Sequence, residues 1–117
     1  MKSLLLALAL LAAPVTGFDK TVHDFGTIGI KDGPQTCVFT FTNDSDAPVS
    51  ILAVVTSCGC TELKWTRERI EPGAKGTITV TYSNDDGPYP FDKTVSAYLS
   101  DRDKPVTLHV KCVVKNI

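Results

Sequence analysis

The chain has 117 residues, with 12 Lys and Arg against 13 Asp and Glu and a formal net charge of −1. With no basic excess to neutralise phosphates, nucleic acid is not an expected partner. The length suits one domain with a single hydrophobic core and little to spare.

The N-terminus reads as a secretory signal peptide. Lys2 supplies the positive start, and Leu4 to Ala13 is an unbroken apolar run. That run is well short of the roughly 20 residues that span a bilayer. Pro14 ends it, and Val15-Thr16-Gly17 offers small residues for cleavage before Phe18, with Ala13 and Thr16 leaving the exact bond open by a few residues. No cysteine follows the run to take a lipid. The expectation is a signal peptide over 1–17 and a mature domain over 18–117, exported to the periplasm or extracellular space, with no membrane span after cleavage; the other reading, an uncleaved N-terminal anchor, usually takes a longer run.

Turn-forming clusters then punctuate the chain at short intervals: Asp32-Gly33-Pro34, Asn43-Asp44-Ser45-Asp46, Glu71-Pro72-Gly73, Asn84-Asp85-Asp86-Gly87-Pro88 and Asp101-Arg102-Asp103-Lys104-Pro105. Between them, apolar and polar residues alternate. Residues 37, 39 and 41 share one face of Cys37-Val38-Phe39-Thr40-Phe41-Thr42, and threonines line much of the other. The even positions of Val106 to Val114 are apolar, and Thr77 to Tyr82 repeats the pattern. A period of two with one apolar face marks strands of a sheet wetted on one side. Strands are predicted near 20–25, 35–43, 48–56, 62–66, 74–83, 92–100 and 105–115. Seven short strands in a domain of this length argue for an all-β, immunoglobulin-like β-sandwich. The antibody arrangement of Cys, Trp and Cys is absent, because Trp65 follows both central cysteines.

If the strands alternate in direction, the loops 26–34, 57–61 and 84–91 share one end of the domain. Cys58 and Cys60 lie in the second of these loops. Cys37 starts its strand near that end, and Cys112 comes late in a strand that finishes there. An even cysteine count in an exported domain points toward disulfides. A Cys37–Cys112 bond is the favoured long-range pairing, since both sit on the apolar face. Closing that loop of about 75 residues stabilises by roughly 4 kcal/mol on the chain-entropy model. Two buried reduced thiols are the other reading. Cys58-Gly59-Cys60 then forms a small strained disulfide, hence a labile one, or a pair of thiolates for Cu(I), or its cysteines staple to others nearby.

The ordered set His23-Asp24-Phe25-Gly26-Thr27-Ile28, Phe39-Thr40-Phe41-Thr42-Asn43, Ser57-Cys58-Gly59-Cys60-Thr61, Ile70-Glu71-Pro72-Gly73 and Phe91-Asp92-Lys93-Thr94 resembles the bacterial exported family called domain of unknown function 1573. That family is similar to the Hydin-type and major-sperm-protein immunoglobulin-like domains. The resemblance covers nearly the whole mature chain. It implies an exported seven-stranded sandwich with no established activity. Cys37 and Cys112 are not among the family's recurrent residues, and Cys112 stands where a glycine is usual. Their pairing therefore rests on geometry alone.

Other candidates have plainer readings beside them. His23 can approach the cysteine pair as a third metal ligand, or simply neighbour an Asp24 that satisfies backbone N–H groups before Gly26. Trp65, among Lys64 and Arg67, offers a binding rim or packs on the sandwich edge. Pro88-Tyr89-Pro90-Phe91 is a stiff loop whose Tyr89 and Phe91 offer aromatic contacts to a partner, or cover the thiols. Asn43-Asp44-Ser45 fits a glycosylation sequon. No hydrolase or phosphate-binding motif occurs. The expectation is a non-enzymatic exported module with a protein or envelope partner. The alternative is a Cu(I)-binding or thiol–disulfide protein using Cys58 and Cys60, with no other cofactor foreseen.

Overall fold

The computed structural model describes residues 16–57, Gly59 and 61–117. Among these there are seven strands: β1 (Val22–Gly29), β2 (Gln35–Thr42), β3 (Ile51–Thr56), β4 (Thr61–Trp65), β5 (Lys75–Tyr82), β6 (Pro90–Leu99) and β7 (Val106–Lys115). They form a four-stranded sheet in the order β1-β7-β6-β3 and a three-stranded sheet in the order β2-β5-β4. This is the expected all-β sandwich. No helix among the described residues is long and apolar enough to cross a membrane.

Strand alternation places the core between the sheets. Phe39, Ile78, Val80 and Tyr82 point inward from one sheet, and Val95, Ala97, Leu108 and Val110 meet them from the other. Each is flanked in sequence by outward residues, so a shift of one position would expose the whole inner set. β1 runs parallel to β7, as the first and seventh of alternating strands must when they become neighbours.

The first strand is longer than its sequence pattern suggests. The strand predicted near 20–25 runs on to Gly29 through a register shift between Asp24 and Thr27. Gly26 has φ +78°, which a glycine adopts at no steric cost, and its N–H donates to Asp24 Oδ1 at 2.8 Å. The result is a bulge that the strand passes through, so the first loop shrinks to the residues between Gly29 and Gln35. The sixth strand also starts earlier than expected, at Pro90, which draws Phe91 into the sheet.

Upstream of β1 the chain belongs to the other sheet. Phe18 bridges Phe41 at the edge of β2, Asp19 N–H donates to the Thr40 carbonyl at 2.9 Å, and Thr42 N–H donates to the Gly17 carbonyl at 2.9 Å. The N-terminal segment thus covers one end of the β2 edge before crossing to β7, and so closes a corner of the sandwich.

Each end of the sandwich is pinned by a buried asparagine. Asn43 is 1% exposed; its Nδ2 donates to the carbonyls of Ala47 and Ile70, both at 2.9 Å. Its Oδ1 accepts from the N–H and the hydroxyl of Ser45. The sequon reading of Asn43 therefore gives way to a structural one, because its amide nitrogen is enclosed and fully engaged. At the other end, Asn84 Nδ2 donates to the carbonyls of Gly29 and Gly33 at 3.1 and 3.0 Å. Asn84 sits at φ +58°, a conformation asparagine tolerates better than most residues.

Candidate functional site

The register brings three connections to one pole. Gln35 and Thr61 both pair with Tyr82, and Gly29 pairs with Lys115. The β1–β2 turn, the connection between Thr56 and Thr61, and the β5–β6 loop therefore lie together, as alternating strands require. The pole is ordered by polar contacts that reach across the loops. Asn84 ties the β5–β6 loop to the β1–β2 turn, and Asp32 Oδ2 accepts from Gly29 N–H at 2.7 Å. Ser83 donates to Asp85 at 2.6 Å.

Cys58 and Cys60, the central pair of the sequence reading, lie outside the described residues. Their neighbours are placed: Thr56 ends β3, Thr61 opens β4, and Gly59 is exposed. Gly59 borders an open cleft of about 230 Å³ with Pro34, Thr61, Glu62, Thr81 and Ser83. Three hydroxyl residues and one carboxylate thus share its lining with Pro34 and Gly59.

Cys37 and Cys112 come toward this same pole, but on facing sheets. Cys37 pairs with Val80, two residues from Tyr82, and Cys112 pairs with Phe91. Both are buried free thiols. Burial pushes the Cys37 thiol up to about 11, with Lys20 opposing. Burial also raises Cys112, helped by the Asp24 carboxylate. Such thiols carry almost no thiolate near neutral pH, so they are poor nucleophiles and poor metal ligands as they stand.

His23 lies on β1, at one edge of the four-stranded sheet, whereas the strand leading to Cys58 is β3 at the other edge. Its Nδ1 is 3.0 Å from Lys20 Nζ, and its ring meets Phe25 edge-on at 4.6 Å. Burial and then the Lys20 charge lower its pKa, against a weaker pull from Asp24. With Lys20 donating, Nδ1 is the acceptor and the proton resides on Nε2. The plainer expectation for Asp24, an acceptor for backbone N–H before Gly26, is met. Among the described residues, no group of three or more His, Cys, Asp or Glu side chains is placed to hold a metal.

The three aromatic candidates separate. Tyr89 is 65% exposed and lies against Gly87, at φ +95°, where an added Cβ would come within 3.0 Å of its ring. Phe91 corrects the expectation of a partner contact. It is buried, stacked on Tyr82 at 3.8 Å between ring centroids, because β6 begins at Pro90 and turns Phe91 inward. Trp65 packs partly against the core, and the Arg67 guanidinium covers its ring at 4.1 Å.

The surface that sequence reasoning missed is the edge at β3. Leu52 and Val55 are 63% and 48% exposed, and Tyr98 on the adjoining β6 is also exposed. Ala53 pairs with Tyr98 and Val55 with Ser96, so these side chains share one outer corner. β3 carries no charge from Ile51 to Thr56, whereas the edge strand β4 carries Glu62 and Lys64. The signal was present as an uncharged run, but a run of apolar residues does not say whether its strand is central or peripheral.

Comparison with solved structures finds this sandwich widely. A protein of unknown function from Porphyromonas gingivalis W83 is 17% identical with a TM-score of 0.69; the match covers 87% of this chain and 50% of that one. The VesB protease of Vibrio cholerae is 11% identical with a TM-score of 0.69, over 91% of this chain and 34% of that one. The ASH/PapD-like domain 7 of human CEP192 is 11% identical with a TM-score of 0.57, over 86% and 83%. The chain therefore spans half the length of the first of these and about a third of the second. At these identities the likeness is one of fold. No functionally curated protein matches the chain. The model of a family described as protein of unknown function (DUF1573) matches residues 16–114, and the chain belongs to that family.

Proposed function

We propose that the protein is an exported, non-enzymatic immunoglobulin-like module of the cell envelope that binds a protein partner through its β3 edge. The observation that carries this reading is the uncharged edge strand with Leu52, Val55 and Tyr98 outside the core. Natural edge strands are usually blunted by charge, proline or cover, and an open apolar edge is a template for an added strand. The bulge at Leu52 limits pairing to the stretch beyond it, Ala53 to Val55. Export rests on the Lys2 and Leu4–Ala13 pattern.

Photo-crosslinking in cells tests it. A photoreactive side chain at Val55 should capture a discrete envelope protein, and Tyr98→Lys should abolish that capture while leaving the fold intact. Equal capture from Lys64 on the opposite sheet would remove the β3 edge from the reading.

A second reading keeps Cys58 and Cys60 as a Cu(I) or redox pair. It is favoured by the exposure of Gly59 at a pole whose other loops are held in place. Stoichiometric copper uptake lost in Cys58→Ser would support the metal form, and reversible oxidation of the pair the redox form.

A further inference from the structure

The sequence pattern places signal-peptide cleavage before Phe18, yet Thr16 and Gly17 behave as part of the sandwich. The Thr16 carbonyl accepts from Arg102 Nη1 at 3.0 Å, and Thr16 Oγ1 accepts from Phe18 N–H at 3.1 Å. The Gly17 carbonyl accepts from Thr42 N–H at 2.9 Å, one rung of the bridge that covers the β2 edge. Gly17 has φ +86°, and a Cβ there would lie 2.3 Å from the Phe41 ring. Only glycine lets the backbone pass this close to Phe41, which is itself buried and in contact with Phe18 at 5.3 Å between centroids. The match to the family model also begins at residue 16.

From these contacts we infer that the mature exported protein retains Thr16 and Gly17, and that proteolytic processing takes place upstream of Thr16. This rests on the proposed export. Signal-peptide cleavage precedes folding, so the fold does not direct the cut. The fold identifies which N-terminus leaves every strand-edge group of this corner satisfied. A chain beginning at Phe18 loses the acceptors for Thr42 N–H and for Arg102 Nη1. It also places a new ammonium group where an amide N–H now donates. The retained start lies beside Thr42 and Arg102, at the pole opposite Thr56 and Thr61.

The test is the intact mass of protein recovered from the exported fraction, for the native chain and for Gly17→Ala. A small residue at position 17 remains compatible with cleavage after it, so the variant is informative either way. The expected result is an N-terminus at or before Thr16. The Gly17→Ala protein should carry the added methyl and melt lower by roughly 5–15 °C, from a strained left-handed alanine pressed on Phe41. An N-terminus at Phe18, with identical mass and melting for both chains, would overturn the inference and leave export standing. A full-length mass beginning at Met1 would overturn both.

Discussion

Asn43→Asp probes the polar pin at the pole opposite Asn84. The two side chains have nearly the same shape, and the carboxylate keeps both acceptor contacts to Ser45. It loses the two donations to Ala47 and Ile70, whose carbonyl oxygens would then face a carboxylate oxygen at about the 2.9 Å now spanned by N–H···O bonds. The Ile70 carbonyl keeps the Val49 N–H, whereas the Ala47 carbonyl is left to share the single Ser45 hydroxyl proton with the side chain at 43. These two hydrogen bonds, one buried and one partly buried, are worth about 2 kcal/mol, and enclosing a charge or a mispaired carboxyl adds about 1–2 kcal/mol. The expected loss is therefore roughly 3–4 kcal/mol, or about 12–25 °C in melting temperature for a domain of this size. Urea unfolding followed by tryptophan fluorescence, with calorimetry, measures it. The deficit should also shrink in acid. Burial raises the pKa of the introduced carboxyl, so the variant regains stability as pH falls and the group becomes neutral. A loss under about 1 kcal/mol, or a deficit that grows in acid, would refute the role assigned to Asn43.

The aromatic pair at the cysteine pole should respond asymmetrically. Phe91→Ala empties a site stacked on Tyr82 and should cost about 3–5 kcal/mol in urea unfolding, whereas Tyr89→Ala should stay within about 0.5 kcal/mol; similar losses from both would contradict the placement of Phe91. His23 should make stability fall in mild acid. A base with a lowered folded pKa is protonated more readily in the unfolded chain, so its contribution is present above the ordinary value of 6.5 and is lost as pH drops through and below it. The difference between native protein and His23→Gln, measured by urea unfolding across that range, should narrow toward acid; a constant difference would show that His23 does not titrate in this way. Cys37 and Cys112 should resist a thiol-directed alkylating reagent near neutral pH in the folded protein and react once it is denatured. Labelling of either in the folded state would contradict their burial, and labelling that needs prior reduction, with a linked Cys37–Cys112 peptide in the unreduced digest, would establish the bond favoured by sequence.

The strands were readable because strand identity is a local property. Thr77-Ile78-Thr79-Val80-Thr81-Tyr82 shows which side chains face inward without reference to any other segment, and the observed β5 differs from the predicted span only at its ends. The ordered family motifs were readable for the same reason. Alternating strand direction then sufficed to bring the β1–β2, β3–β4 and β5–β6 connections to one pole. The site was less accessible. Asn43 and Asn84 both stood in turn clusters and read as turn formers, because their partners lie 27 and 55 residues away in sequence. Phe91 read as a loop aromatic because Pro90 is a common loop residue, and only its pairing with β7 placed it in a strand.

Local chemistry alone settled the alternation, the turns and the all-strand class, since backbone geometry and β-branched side chains act over a few neighbours. Which strand stands at an edge, which asparagine is enclosed and how closely Gly17 passes Phe41 were decided by the assembled sheets. Those properties depend on contacts between distant segments, and they exist only once both sheets have closed on a shared core.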